Sequence, residues 1–273
     1  MILTDLFHGH IRWMMRGVAH GDSSSRAPDA RAKLREAAEQ SGASRVLCMN
    51  VAFAHHVIGA TDFELLARAG DIELLAARTP ADGILLERTG DAVFFANADC
   101  PMGVLFDRVH QRAVVMHLGF GSLWKPSQAP PYLLERAVRT LAPDGDLSAL
   151  AFFGGGGIGP CCYGVQKQSS ADLARESYLD TLLPERDTWR SVYGPRANQP
   201  CIDLGRVIRA QLEQLGVEDI SYRAHCTSCS GMPDPNASGF GMYYSNVRDS
   251  ARKLERNLTL VTLAGNAKAV TAL

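Results

Sequence analysis

The sequence predicts an α+β fold in a single domain spanning residues 1–273. Three observations carry this. Short apolar runs of strand length crowd residues 83–117, with turn residues between them. Three segments with helical periodicity lie outside that region, one before and two after it. No internal repeat, low-complexity tract or linker composition divides the chain.

Taken in order, Asp29–Gly42 reads as a helix: Pro28 and Asp29 make an entry, Ala and Leu alternate with Lys and Arg, and Gly42 is a stop. Arg45–Phe53 is a compact apolar run suited to a buried strand. Gly83–Glu87, Ala92–Ala96, Val104–Phe106 and Ala113–His117 follow as strands of one sheet, separated by turns at Thr89-Gly90, Asp99–Pro101 and Arg108–Arg112. Pro130–Leu141 is a helix with Leu133, Leu134, Ala137, Val138 and Leu141 on one face. Another helix starts at the capping residue Asp203, buries Leu204, Val207, Ile208, Leu212 and Leu215, and ends at Gly216. Strands at Ile220–Arg223 and Leu258–Leu263 flank a Gly/Ser/Pro-rich loop at Ser228–Gly241, and Thr181–Gln199 reads as a surface excursion.

Composition narrows the function. Hydrophobic residues are 46% and charged residues 21%, and 28 Lys plus Arg balance 29 Asp plus Glu. A chain this neutral has no global attraction for nucleic acid or an anionic membrane, so a small-molecule substrate is expected. No run of roughly 18 apolar residues predicts a membrane span. The first residues carry Asp5, His8, His10 and Arg12 and lack the basic start and continuous apolar stretch of a secretory leader. Seven cysteines, an odd count, do not suit a disulfide scaffold. A cytoplasmic protein with reduced thiols is expected, in which each cysteine can be packing, ligand or nucleophile.

Histidines and cysteines at strand ends carry the chemistry. His55 and His56 follow one strand, Cys100 follows another, and His117 ends a third. A rigid sheet aims such side chains into one cleft. One thiolate and two imidazoles suit a catalytic zinc, which takes three protein ligands and leaves a fourth position for water or substrate. The bland readings are a buried cysteine that merely packs and a histidine that is hydrogen-bonded in the core. Other features read structurally. Cys226-Thr227-Ser228-Cys229, after His225, offers a second metal clip or a redox pair, but a zinc ribbon needs a second C-x-x-C and Cys161-Cys162 lacks that spacing, so packing is expected ahead of either. Gly154–Gly157 has no following Lys-Ser/Thr, which excludes a Walker A loop and leaves a tight turn beside the cleft. Ser169-Ser170 reads as a helix cap.

Landmarks along most of the chain resemble one family. Ala81-Asp82-Gly83 precedes Asn97-Ala98-Asp99-Cys100-Pro101, then His117-Leu118-Gly119-Phe120, then Gly157–Val165 with its Gly159-Pro160 and Cys162-Tyr163. Ile202-Asp203-Leu204, Cys226-Thr227, Tyr244–Arg248 and Arg256-Asn257 follow in order, and Arg16-Gly17 and Arg31 precede them. This series resembles the YfiH/YlmD family, also known as laccase-domain or multicopper-polyphenol-oxidase-like proteins.

The resemblance implies a four-layer α/β/β/α arrangement with mixed sheets. It implies zinc on His56, Cys100 and His117, and purine nucleoside chemistry: phosphorolysis of adenosine, inosine or methylthioadenosine, or adenosine deamination. Cys100 and His117 are then also the catalytic candidates, with Arg248 as substrate anchor. The sequence departs from the family's motifs in three places. Q-x-H-G is Ala54-His55-His56-Val57, so His55 rivals His56 as ligand. H-A-G-W-R-G is His117–Ser122 without its arginine, the residue type that best grips phosphate. The glutamate of Y-E-V is Gly164.

A true laccase needs many histidines in H-x-H pairs. Here there are eight histidines, and His8-Gly9-His10 alone has that form, so zinc is expected ahead of copper. Two rival readings keep the same residues: a metal-free Cys–His hydrolase with Cys100 as nucleophile and His117 as base, and a relative that binds a ligand without turnover.

Overall fold

A computed structural model describes residues 2–25, 27–53, 55–127, 129–164, 170–183, 201–223, 225–230, 243, 245 and 255–265. The first strands are β1 (Ile2–Leu6), β2 (Ile11–Arg16), β3 (Arg45–Cys48), β4 (Val57–Ile58), β5 (Phe63–Ala69) and β6 (Ile72–Ala77). They continue as β7 (Gly83–Leu86), β8 (Asp91–Asn97), β9 (Met102–Asp107) and β10 (Arg112–His117). The last are β11 (Leu150–Gly155), β12 (Asp219–Arg223) and β13 (Asn257–Leu263). Helices are α1 (Ala30–Ser41), α2 (Phe120–Leu123), α3 (Leu133–Leu141), α4 (Ser170–Leu182) and α5 (Leu204–Gln214).

The strands form two sheets, β1-β2-β13-β8-β3-β6-β5 and β12-β11-β9-β10-β7-β4. Both are mixed: β3 runs parallel to β6 and β8, and β11 parallel to β12, while β9 is antiparallel to β10 and β11. Side-chain alternation along each strand separates the apolar layers. Trp13, Val93 and Val261 of the larger sheet meet Val104, Phe106 and Val115 of the smaller one between the sheets. The residues one step along, Met14, Ala92 and Leu260, face outward onto Leu34, Ala37 and Ala38 of α1. On the other side Leu105, Val114 and Met116 face Leu134, Ala137 and Leu141 of α3 and Val207 and Ile208 of α5. The result is the α/β/β/α layering that the family resemblance implies.

The strand region expected as one sheet is divided between two. β7, β8 and β9 are consecutive in sequence, yet β8 lies in the larger sheet and its neighbours in the smaller. Strands buried on both faces read as continuous apolar runs, which hides the crossings between layers. The expected strand at Arg45–Phe53 ends at Cys48, and the chain beyond it turns off the sheet. Helix ends follow local chemistry more closely. Gly42 closes α1 in the left-handed conformation (φ 74°), its N–H donating to the Ala38 and Glu39 carbonyls. The Asp203 carboxylate accepts the Arg206 N–H at 3.2 Å and caps α5.

Strands β1, β2, β5 and β6 and most of α4 carry no expectation from sequence. Of the expected surface excursion, Thr181 and Leu182 belong to α4, and residues 184–199 lie outside the described residues, as does Arg248. No helix among the described residues is long and apolar enough to cross a membrane.

Candidate active site around Cys100 and His117

The register of the smaller sheet sets up one chemically dense end. His117 pairs with Met102, Met102 with Gly155, and Gly155 with Arg223, forming one row across β10, β9, β11 and β12. Cys100 sits immediately before β9, where the chain passes from β8 of the larger sheet into the smaller one.

Hydrogen bonds hold this crossing tightly. The Asn97 amide donates to the carbonyls of Cys100 (3.2 Å) and Gly156 (3.1 Å). Asn97 is itself fastened by Asn257 and Thr259 of β13 at 3.1 and 3.0 Å. Asp99 adopts φ 73°, unusual for a residue with a side chain. Its carbonyl accepts the Ile158 N–H at 2.6 Å and its carboxylate the Thr227 hydroxyl at 2.8 Å. Gly157 abuts Pro101, where a Cβ would come within 2.7 Å of the proline ring. The glycine run is therefore a tight turn packed against the Cys100 loop.

His117 is buried, at 1% exposure. Its Nδ1 lies 2.9 Å from Oδ1 of the fully buried Asp82. An ionised carboxylate only accepts, so Nδ1 carries the proton in this contact and the ring's other nitrogen remains for a second partner. Cys100 is half-buried and near enough to His117 to act on the charge of its imidazole. Ser122 donates to Asp82 at 3.3 Å. Phe53 and Phe95 flank the imidazole, with ring centroids at 5.1 and 5.0 Å. Burial pushes the His117 pKa down, but the Asp82 and Cys100 contacts outweigh it and raise the value to about 9.

The turn that carries Asp82 is tied to the segment after β3. Ala81 N–H donates to the Asn50 carbonyl at 2.9 Å, and the N–H groups of Asp82 and Gly83 donate to the His56 carbonyl at 3.2 and 2.9 Å. His55 turns inward: it is buried, its Nε2 donates to the Gly121 carbonyl at 2.8 Å, and its ring meets Tyr132 edge-on. Burial lowers its pKa, partly offset by that carbonyl, which suits a neutral donor. His56 points the other way and is exposed. The structure thus brings Cys100 and His117 together but does not gather the His56 ring with them. The backbone of His56 sits beside the site and its side chain does not.

Two residues that sequence reasoning left without a role belong here. Asp82 orients His117 from 35 positions away, and its place in Ala81-Asp82-Gly83 was the available signal. Phe53 occupies the space beside the motif that has lost its arginine. A Cβ on Gly121 would fall 2.9 Å from the Phe53 ring, and one on Gly119 would fall 2.8 Å from it.

The family model of the multi-copper polyphenol oxidoreductase laccases matches residues 9–263. The chain belongs to this family. Among solved structures, this laccase-domain chain is similar to Neisseria meningitidis protein NMB0706, at 18% identity and TM-score 0.67, covering 97% of this chain and 99% of that one. It is similar to YfiH of Bacillus licheniformis (16% identity, TM-score 0.65, covering 93% and 92%). YlmD of Geobacillus stearothermophilus stands at 16% identity and TM-score 0.64, covering 93% and 92%. No curated protein matches the chain.

The laccase-domain chain also holds a second group that the sequence reading assigned to packing. The sulfurs of Cys161, Cys162, Cys226 and Cys229 all lie within 4.8 Å of one another. Sequence spacing concealed this because the cause is topological. Parallel pairing of β11 and β12 places the loops that follow them at the same end of the sheet, each with two cysteines.

Proposed function

We propose that the chain is a zinc-dependent enzyme acting on a nucleoside-like small molecule, with His56, Cys100 and His117 as ligands. The observation that supports it is the buried Asp82–His117–Cys100 arrangement. A metal-binding histidine commonly donates its other ring N–H to a carboxylate, which fixes the tautomer and raises the ring's basicity. His117 and Asp82 have that relation at 2.9 Å, and the thiol of Cys100 is next to the ring. Two of the three donors therefore fit the ion. The third, His56, is anchored through its carbonyl to the turn that carries Asp82, and its exposed side chain would have to turn inward to supply the remaining ligand. Bound zinc would polarise a substrate oxygen or ionise water near neutral pH.

The protein's own groups define the rest. Asp82 holds His117 in orientation, Phe53 and Phe95 exclude water from its ring, and Asn97 and Asp99 keep Cys100 in place. Arg248 anchors the polar part of the substrate. The arginine missing after Phe120 removes a phosphate grip, and Phe53 closes the space beside Gly121. Deamination or another hydrolytic step is thereby favoured over phosphorolysis: water adds at the ring carbon bearing the amino group, and ammonia leaves. A multicopper centre has little support, since His8-Gly9-His10 is the one H-x-H pair in the sequence. A cytoplasmic setting accompanies this reading, as its thiols must stay reduced.

The test is ammonia release from adenosine, and base release from inosine and methylthioadenosine, each with and without inorganic phosphate. Zinc-replete wild type should release ammonia without phosphate, and Cys100→Ala should not. No turnover of any nucleoside by zinc-replete protein would sink the proposal.

The exposure of His56 favours a second reading, a metal-free Cys–His hydrolase in which Cys100 attacks and His117, oriented by Asp82, moves the proton. Iodoacetamide separates the two. Cys100 held by zinc should alkylate slowly and speed up after chelation, whereas a metal-free Cys100–His117 pair should alkylate quickly from the start.

A further inference from the structure

We propose that Cys161, Cys162, Cys226 and Cys229 bind one structural zinc ion, which clamps the loop after β11 to the loop after β12 directly behind the loop that carries Cys100.

The four sulfurs are mutually within 4.8 Å, and those of Cys161 and Cys229 are 3.4 Å apart. A tetrahedron with Zn–S bonds of roughly 2.3 Å has edges of roughly 3.8 Å, so the cluster needs little movement to close on an ion. Gly159 makes the approach possible: a Cβ there would lie 3.0 Å from the Cβ of Cys226 and 3.4 Å from the sulfur of Cys161. The Gly159 carbonyl accepts the N–H groups of both Cys162 and Tyr163, each at 3.0 Å, and folds the first pair into a compact turn. The Ser230 N–H donates to the Cys226 carbonyl at 2.9 Å and folds the second.

Cys162 and Cys226 are buried against the helical layer, while Cys161 and Cys229 are half-buried. All four donors are sulfur, a soft set that suits zinc and leaves no position for substrate, as structural sites do. Binding exchanges four thiol protons, released to solvent, for one Zn²⁺. The ion has a structural consequence for the first site. Thr227, between the second pair of cysteines, donates its hydroxyl to Asp99 and its N–H to the Gly157 carbonyl at 3.0 Å. The clamp thus bears on the residue before Cys100 without touching the reacting atoms.

The test is zinc content of the full chain, purified without chelator under reducing conditions. Wild type is compared with Cys161→Ser, Cys229→Ser, Cys100→Ala and His117→Ala. Each cluster variant should lose one zinc per chain relative to wild type, and that same ion should survive in Cys100→Ala and His117→Ala. Cobalt loaded in place of zinc should show thiolate charge-transfer absorption in Cys100→Ala that the double variant Cys100→Ala with Cys229→Ser lacks. Should the serine variants misfold, Cys100→Ala, which keeps all four cluster cysteines, still decides. Stepwise titration with a mercurial thiol reagent should free one zinc as the four cluster thiols react. Cluster thiols that react with no zinc release, serine variants with full zinc content, or iron or copper in place of zinc would each overturn the proposal. Loss of metal in Cys100→Ala and His117→Ala reports on the separate site proposed above, so failure of either reading is distinguishable from failure of the other.

Discussion

At the level of single residues, the pivot is Asp82. It is fully buried, and its carboxylate holds the Nδ1 proton of His117. Replacing it with Asn keeps the volume but offers an amide that can present its donor side, freeing the ring to adopt the other tautomer. Asp82→Asn should lower kcat/KM by about 10–100-fold, the usual range for a carboxylate behind a functional histidine, with little change in fold. Steady-state kinetics beside far-UV circular dichroism would check both halves. Phe53 and Gly121 form a second residue-scale pair. Gly121→Arg should destabilise by about 1–3 kcal/mol through overpacking against the Phe53 ring. Adding Phe53→Ala should recover most of it, which urea melts of the single and double variants would show. Cys100 and His117 were legible in the sequence because they stand at strand ends in recognisable motifs. Their link to Asp82 was not, because the contact spans 35 positions and depends on which strands become neighbours. The outward turn of His56 was equally hidden: adjacent side chains diverge, and it is His55 that satisfies the Gly121 carbonyl.

At the level of elements, the β9–β10 hairpin shows how buried charge locks a turn. Asp107 ends β9, and its carboxylate accepts the N–H groups of Val109 and His110, both at 3.0 Å, and contacts the His110 ring at 2.7 Å. Burial pushes its pKa up, but these hydrogen bonds outweigh that and hold it below the usual 3.8. A depressed carboxylate stabilises the fold above its unfolded value and loses that contribution as pH falls through the folded one. Asp107→Ala should therefore cost about 2 kcal/mol at neutral pH. The gap from wild type should narrow as the pH falls below 3.8, measured by denaturant unfolding across that range. Elements with strong local signals were readable: α1 with its Gly42 stop, α5 with its Asp203 cap, and the apolar strands from β7 to β10. Strand β5 was not, because its exposed edge carries Glu64, Leu65 and Leu66 in succession without alternation. Pairing order was beyond local reading altogether, since β8 skips both sequence neighbours to lie between β13 and β3.

At the level of the whole molecule, apolar layers between and outside two sheets supply the stability, and the cysteine clamp fixes one end of the smaller sheet. Removing zinc should therefore act locally on structure and globally on Tm. An ion present at about 100 times its Kd contributes about 2.7 kcal/mol. Chelation should lower Tm by roughly 5–10 °C for a chain of this size, with the layered fold retained. Differential scanning calorimetry with and without chelator, on wild type and Cys229→Ser, would test this, and the serine variant should no longer respond to the chelator at the cluster. The pairing of β13 with β2 on one side and β8 on the other has a consequence for biosynthesis. The larger sheet is closed at its middle by the last of the described strands to leave the ribosome. Until residues 257–263 emerge, β2 and β8 each present an unsatisfied backbone edge, and the two halves of the sheet have no bridge. Nascent chains stalled upstream of β13 should therefore be open, adhesive and dependent on chaperones, and the larger sheet cannot consolidate until residues 257–263 have emerged.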